Sequence, residues 1–572
     1  MSASDKKRLR KEQNAAAMTE KQLQAKKEAK KLKAYTISFV VVMLLVVAIV
    51  VGVVATPFIS GIINRSTHAV SIGNRQLSTT QLSYYYYDAI RNYYTNFQNS
   101  YGQYADMYAQ LLGGVISTIP LDEQVYDKET GKTWAQYFIE DAKKAATWTF
   151  AIYDAAMADE DFKLSEDTQK FLDNFEENIS LYATMNGFSS SSGYLRSNYG
   201  NGANLETYKD YYTYNTIASE YASEYIESLE FVDKDYREYE KDKYNEFNSY
   251  SYISYYVSSS NYLTFLKLGT VTKDENGKET TTYSDEDKAE ALAAAKDDAE
   301  FLSNPLHYTE TEEGKTNLIT LMNENISRLE INKNKKEDEM PSATEYNNKL
   351  YSSLSNNEDI QKWLSASERK VGDVTMIANK TTGSDDKEVI NGYYVVALTG
   401  VNTNERKLAN VRHILVKFTG GTKDSTTGET IYSVAEKEKA KKAAEDILAL
   451  YNATNKKDED FAKLAKEKSE DTGSKSNGGL IENIYRDAGY VESFTDWALD
   501  ERKPGDTGII ETPYGYHVMY YKEDGELTYR DYMIDNLLTQ EAFEAWEKSL
   551  TEKVTTVDVN LSGIETDYVI AG

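Results

Sequence analysis

The chain has 572 residues, enough for roughly three or four domains of ordinary size. Its 64 Lys and Arg stand against 92 Asp and Glu, a formal charge of −28, and it has no cysteine. That excludes disulfides, thiolate metal sites, a cysteine nucleophile and a lipidated N-terminal cysteine, and the acid excess argues against nucleic-acid binding.

Residues 1–34 hold 11 basic and 4 acidic side chains, so the rest of the chain carries −35. From Ile37 to Ile59 runs an uncharged apolar stretch, long enough as a helix to cross ~30 Å of hydrocarbon. A basic flank ahead of an apolar span keeps the N-terminus inside. The expectation is a cytoplasmic basic tail over 1–34, a transmembrane helix over 35–60, and an acidic remainder outside the cell membrane. A cleaved signal peptide is the competing reading, but both its charged and apolar parts would be unusually long.

His68 to Ser78 reads as a strand, a Gly73-Asn74 turn and a capped helix start at Ser78 or Thr79. From there to about Leu229 the pattern is helical, with segments at 147–158, 165–185 and 205–229. The region is rich in tyrosine, including Tyr84 to Tyr87. Such a run suits either an adaptable binding surface or a core of half-polar rings. The spread of tyrosine over the whole acidic region favours the core.

A second unit starts at Val232-Asp233-Lys234-Asp235 and reaches about Leu398. It contains a strand over 252–257, an acidic helix over 285–302 and a strand over 392–398. A third unit follows through 399–406, and the two share a pattern. Trp363 leads to Glu368-Arg369-Lys370-Val371-Gly372-Asp373 and then to a strand opening Gly392-Tyr393. Trp497 leads to Glu501-Arg502-Lys503-Pro504-Gly505-Asp506 and then to Gly515-Tyr516. This reads as an internal repeat, with Tyr394 standing where the later copy has His517.

The third unit carries the chemistry. Val411–Phe418 alternates as a strand around His413. Ser433–Leu450 reads as a helix with Ala443, Ala444, Ile447 and Leu448 on one face, and Phe461-Ala462-Lys463-Leu464-Ala465 as a second. After these come the loop Ser469–Ser474, then Gly478-Gly479-Leu480, Phe494 and the strand Tyr514-Gly515-Tyr516-His517. In this order, over about Leu408–Asp524, the elements resemble the parvulin family of peptidyl-prolyl cis/trans isomerases. The stretch from Ser165 through Gly187-Phe188-Ser189 and Tyr199-Gly200 to Tyr208 resembles the helical chaperone region of SurA- and PrsA-type foldases. The membrane-spanning N-terminus is similar to the PpiD type.

The resemblance implies an α+β chain. A helical chaperone domain would span 68–231 and be completed by a C-terminal segment, 526–572. A degenerate parvulin-like domain would span 232–400. A parvulin domain, a four-stranded antiparallel sheet with surrounding helices, would span 408–524. It implies His413, Asp471 and His517 as the catalytic group, and Leu480, Tyr490, Phe494 and Tyr514 as the substrate slot, with no cofactor and no metal. Other family members more often carry Met or Leu at Tyr490 and Phe at Tyr514. The implied partners are unfolded or newly translocated proteins containing Xaa-Pro, with homo-oligomerisation left open. The loop over 419–430 offers Lys423 beside Asp424 and Glu429, so the expected substrate is unphosphorylated. The alternative is a non-catalytic, membrane-anchored holdase or assembly scaffold with a vestigial isomerase site. Zinc-protease, P-loop and EF-hand spacings are all missing.

Overall fold

The computed structural model describes residues 4–8, 59–273, 277–308, 317–382, 387–424 and 428–570. The expected membrane span lies, but for its last two residues, outside them. No helix among the described residues is long and apolar enough to cross a membrane. The chain divides into two units, Met1–Glu230 with Gln540–Gly572, and Phe231–Thr539.

In the first unit, strands β1 (His68–Ile72) and β2 (Arg75–Ser78) form a hairpin ending at Ser78. The Ser78 side chain accepts from the Gln81 amide while Gln81 reaches back to the Ser78 amide, so α1 (Thr79–Tyr101) begins in a capping box. α2 (Trp134–Ala158) starts the same way from Thr133 and Gln136. With α3 (Leu205–Glu227) they enclose a core that contains all four residues of the tyrosine run, Tyr84 to Tyr87. Asp88, next in sequence, accepts from the Tyr199 and Tyr211 hydroxyls and from Arg91. The run is therefore core rather than surface: the Tyr84, Tyr85 and Tyr87 hydroxyls meet Thr207, Asn215 and Glu565, while the Tyr86 hydroxyl is buried without a hydrogen bond. The helix expected over 165–185 is two, Glu166–Asp173 and Phe175–Met185. Asn174 breaks it by turning its amide onto the Lys170 carbonyl at 2.9 Å, in competition with the helical ladder. The C-terminal strand Thr556–Asp558 pairs antiparallel with β1, Val70 opposite Asp558.

Among the described residues, the second unit contains two four-stranded sheets of one topology. It opens with α4 (Asp233–Glu240). The first sheet has strands β3 (Ser249–Ser258), β4 (Thr344–Leu350), β5 (Val374–Thr382) and β6 (Glu388–Asn402), in the order β4-β3-β6-β5. α5 (Asp285–Leu302), between β3 and β4, lays an alanine stripe (Ala291, Ala295, Ala299) on one face. α6 (Glu358–Ser365) covers the other with Ile360 and Leu364.

The second sheet begins with β7 (Lys407–Lys417). α7 (Val434–Asn452) and α8 (Asp458–Lys468) follow and pack Ala440, Ala444, Phe461 and Ala465 on one face. Then come β8 (Leu480–Ile484), α9 (Glu492–Leu499), β9 (Thr507–Thr512) and β10 (Gly515–Thr528), in the order β8-β7-β10-β9. α9 closes the opposite face with Phe494, Trp497 and Ala498.

Even the crowding repeats. Gly392, inside β6 at a break in its register with β5, and Gly515, at the start of β10, both have positive φ, and a Cβ on either would lie 2.3 Å from the Val257 carbonyl or 2.1 Å from that of Val416. Such positions admit only glycine.

The last helix, α10 (Tyr529–Thr551), was expected to belong wholly with the helical unit from 526 onward. Instead the division falls inside it, between Thr539 and Gln540. The reason is burial: Arg530 and Ile534 are fully enclosed in the second unit. The Arg530 guanidinium donates to Glu240 on α4, to Asn248 Oδ1 at 2.9 Å and to the carbonyls of Thr403 and Tyr244. It lies 3.6 Å over the Tyr244 ring, and its own amide donates to the Asn404 carbonyl at 2.8 Å. One arginine thus fastens α4, α10 and the connection between the two sheets.

Candidate active site

The sheet register sets which side chains share the α9 face. Residues 411, 413, 415 and 417 of β7 alternate onto that face. His413 pairs across to Met519, and Leu415 to His517. The two histidines are therefore diagonal neighbours, and their rings stack with centroids 5.1 Å apart. Phe494 from α9 sets its edge against both, at 5.3 and 5.5 Å. Both histidines are buried.

The loop after α8 supplies the carboxylate. Gly479, at positive φ, accepts the His413 amide at 2.8 Å, and a Cβ there would sit 2.2 Å from the His413 carbonyl. The Gly478-Gly479 pair is thus what lets the loop approach β7. That approach places Asp471 Oδ2 at 3.1 Å and Ser474 Oγ at 2.9 Å from His413 Nε2. Asp471 Oδ2 also accepts the Ser474 amide at 3.0 Å and the Ser474 hydroxyl, and Oδ1 accepts the Gly473 amide at 3.3 Å.

Protonation follows from these contacts. Partial burial raises the Asp471 carboxyl, but the Ser474 hydroxyl and amide, His413 and the Gly473 amide outweigh it and hold it below its ordinary range. Burial lowers His413 despite Asp471. Burial and the neighbouring His413 lower His517 to about 4. At neutral pH the group is one carboxylate and two neutral rings.

With Asp471 charged, His413 Nε2 carries the proton and His413 Nδ1 is an acceptor. His517 Nδ1, 2.9 Å away, must then be the donor. His517 Nε2 is left to accept from the Thr512 hydroxyl at 3.0 Å, in preference to the Gly515 carbonyl that the same hydroxyl faces at 3.2 Å, and Thr512 Oγ1 accepts the Tyr514 amide at 3.2 Å. All four ring nitrogens are engaged inside the fold. Neither imidazole has a spare N–H to offer a ligand, so the pair acts as an oriented, uncharged floor rather than as acid and base.

Over this floor is a cavity of about 370 Å³, lined by His413, His517, Asp471, Thr512, Tyr490, Val491, Phe494, Ile481, Leu415, Lys417, Gly489 and Tyr514. Phe494 is buried at its base, while Tyr490 and Tyr514 are exposed at its rim. Six of the seven residues expected at the site are brought together. Leu480 is the exception: it pairs with Arg412, whose side chain points to the α8 face and Asp458, while Ile481 pairs with Val411 on the cavity face. A bulge between Ala409 and Val411 fixes that register, and no local pattern announces it. Ser474 and Thr512 were also missed. Ser474 lies three residues beyond Asp471, but Thr512 meets His517 only through the β9–β10 hairpin.

The first sheet has the same floor without the chemistry. By register Ser254 holds the place of His413, and Tyr394 that of His517, with Tyr394 tilted against Tyr256 at 4.7 Å.

Residues 393–524, which hold this sheet and the paired-histidine floor, match the family described as PPIC-type PPIASE domain. The match begins within β6, the last strand of the preceding sheet. Among curated proteins, foldase protein PrsA of Clostridium botulinum (strain 657 / Type Ba4) is 32% identical over 117 residues, covering 18% of this chain and 34% of the relative. Foldase protein PrsA of Clostridium kluyveri (strain NBRC 12016) is 33% identical over 153 residues, 26% of this chain and 35% of the relative. The chain spans about a third of the length of these relatives. Among solved structures, the peptidylprolyl isomerase PrsA of Bacillus cereus is 18% identical with a TM-score of 0.18, covering 49% of this chain and 89% of that one.

Proposed function

We propose that the chain is an extracytoplasmic foldase that isomerises Xaa-Pro bonds in unfolded or newly translocated proteins and holds those clients as it does so. The observation that carries this reading is the apolar slot above Phe494, floored by two neutral, fully hydrogen-bonded histidines and edged by one ionised carboxylate.

Rotation about the amide faces a barrier of ~18–20 kcal/mol set by resonance, and no bond is made or broken. The site has three things to supply. Phe494, Tyr490 and Val491 grip the proline ring. The buried rings of His413 and His517 keep water from the amide. Asp471 acts on the amide itself: the planar state puts partial negative charge on the carbonyl oxygen, and a carboxylate beside that oxygen raises the planar state relative to the twisted one.

The apolar run from Ile37 to Ile59, with its basic flank, supports a single-pass tether with the N-terminus inside. The first sheet, with Ser254 and Tyr394 at the histidine positions, serves as a spacer or client cradle.

The test is isomerisation of an Xaa-Pro tetrapeptide by the wild-type chain and by Asp471→Ala. A wild-type rate at the uncatalysed background would sink the enzymatic reading. Suppression of client aggregation that survives in Asp471→Ala would separate holding from isomerisation.

A further inference from the structure

We propose that Ser474 is a positioning residue for Asp471: its hydroxyl locks the carboxylate so that one oxygen is spent on the fold and the other is turned to the substrate amide. The proposal rests on the functional reading above.

The two carboxylate oxygens are unequal. Oδ2 is crowded with donors: the Ser474 hydroxyl, the Ser474 amide at 3.0 Å and His413 Nε2 at 3.1 Å. Oδ1 has one protein donor, the Gly473 amide, at a long 3.3 Å. A carboxylate free to turn about χ2 would spread over many orientations, and it would present no fixed lone pair to the slot. Ser474 fixes the carboxylate plane because it holds one oxygen from two of its own atoms at once, main chain and side chain.

The hydroxyl has a second task. Ser474 Oγ is also 2.9 Å from His413 Nε2. With its single hydrogen committed to Asp471, Oγ can face that ring only as an acceptor. It therefore shares the His413 Nε2 proton with Asp471, and it keeps the proton on that nitrogen. The polarity of the whole chain, through His413 Nδ1 to His517 and Thr512, is anchored at this end. Ser474 is 6% exposed, so water does not stand in for its hydroxyl. Neither of these tasks is one that packing alone would require of a small residue at this place.

Alanine at 474 keeps the main-chain donor and the volume, less one oxygen, so the fold should survive. The experiment measures the full chain as wild type, Ser474→Ala, Ser474→Thr, Asp471→Asn and Ser474→Ala/Asp471→Asn. Expected are a roughly ten-fold fall in kcat for Ser474→Ala with KM little changed, and recovery of most of it in Ser474→Thr. In the double variant the serine change should cost nothing beyond Asp471→Asn, because its effect passes through the carboxylate. The Asp471 carboxyl, followed by carbon-13 NMR titration, should titrate at higher pH in Ser474→Ala. Additive losses, or an unmoved Asp471 titration, would overturn the proposal. The titration decides it even if Asp471→Asn leaves turnover intact, a result that would count against the catalytic reading of Asp471 instead.

Discussion

His413 Nδ1 and His517 Nδ1 lie 2.9 Å apart, and only one of them can carry a proton. A second proton on His413 enters at Nδ1 and sets two N–H groups face to face, and one on His517 enters at Nε2 and displaces the Thr512 hydroxyl proton, so the arrangement as it stands needs both rings neutral. Burial keeps them so, with His517 lowered to about 4 and His413 lowered as well.

The pH dependence follows with a definite sign. Both rings have folded pKa values below the unfolded value of ~6.5, so the unfolded chain takes up protons first as pH falls. The stability they contribute is complete above ~6.5 and drains away as pH falls through 6.5 toward 4. For His517 alone the loss is about 2 kcal/mol by pH 5. Urea unfolding of the second unit at pH 7.5 and pH 5 should register it, and isomerase activity should fall at the acid end of the same window.

Asp471→Asn keeps the volume but removes the charge and offers a donor where His413 Nε2 needs an acceptor. A loss of at least about ten-fold in kcat/KM is expected, with peptide binding less affected. The first sheet should contribute no compensating turnover. Adding Tyr394→His to Asp471→Asn should leave the rate unchanged, because Ser254 still stands at the His413 position. Protease-coupled or NMR exchange measurements on one tetrapeptide would decide both points.

How much of this was legible beforehand differs by element. The acidic helix was readable as Asp285–Leu302, because Ser284 caps it and Asp287 closes the box three residues on. The histidine pair was readable because each histidine sits in a short alternating strand. What no local pattern could give was register. Leu480 and Ile481 look alike in sequence, and only the bulge at Ala409–Val411 decides which faces the slot. The split of α10 was hidden for a related reason: Arg530 looks like a surface arginine until α4 and the connection at 403–404 close around it.

Phe494→Ala should act on both binding and stability. The ring is the base of the slot and the edge partner of both imidazoles. Its removal should raise KM for proline peptides several-fold and cost about 3–5 kcal/mol of stability. Steady-state kinetics and thermal unfolding on one preparation would show the two effects together.

Arg530→Met leaves the buried Glu240 with Arg237 as its remaining cation, and the carbonyls of Thr403 and Tyr244 without the guanidinium as donor. A destabilisation of about 3–5 kcal/mol is expected. Arg530→Met/Glu240→Leu should recover part of it, but not all, since the carbonyls remain unsatisfied. Denaturant melts of the three proteins test this directly.

That arginine also governs what happens when the chain is cut. The two sheets are joined in sequence by a short connection in which Asn404 is buried and Glu405 to Lys407 are exposed, so an engineered protease site would be placed at Glu405. A nick there would not release the halves. Arg530 reaches back to Asn248 and Glu240 on one side of the break while its own helix continues from β10 on the other. A cleaved molecule should therefore migrate as two bands in denaturing gels, yet remain one particle in solution and keep its active site.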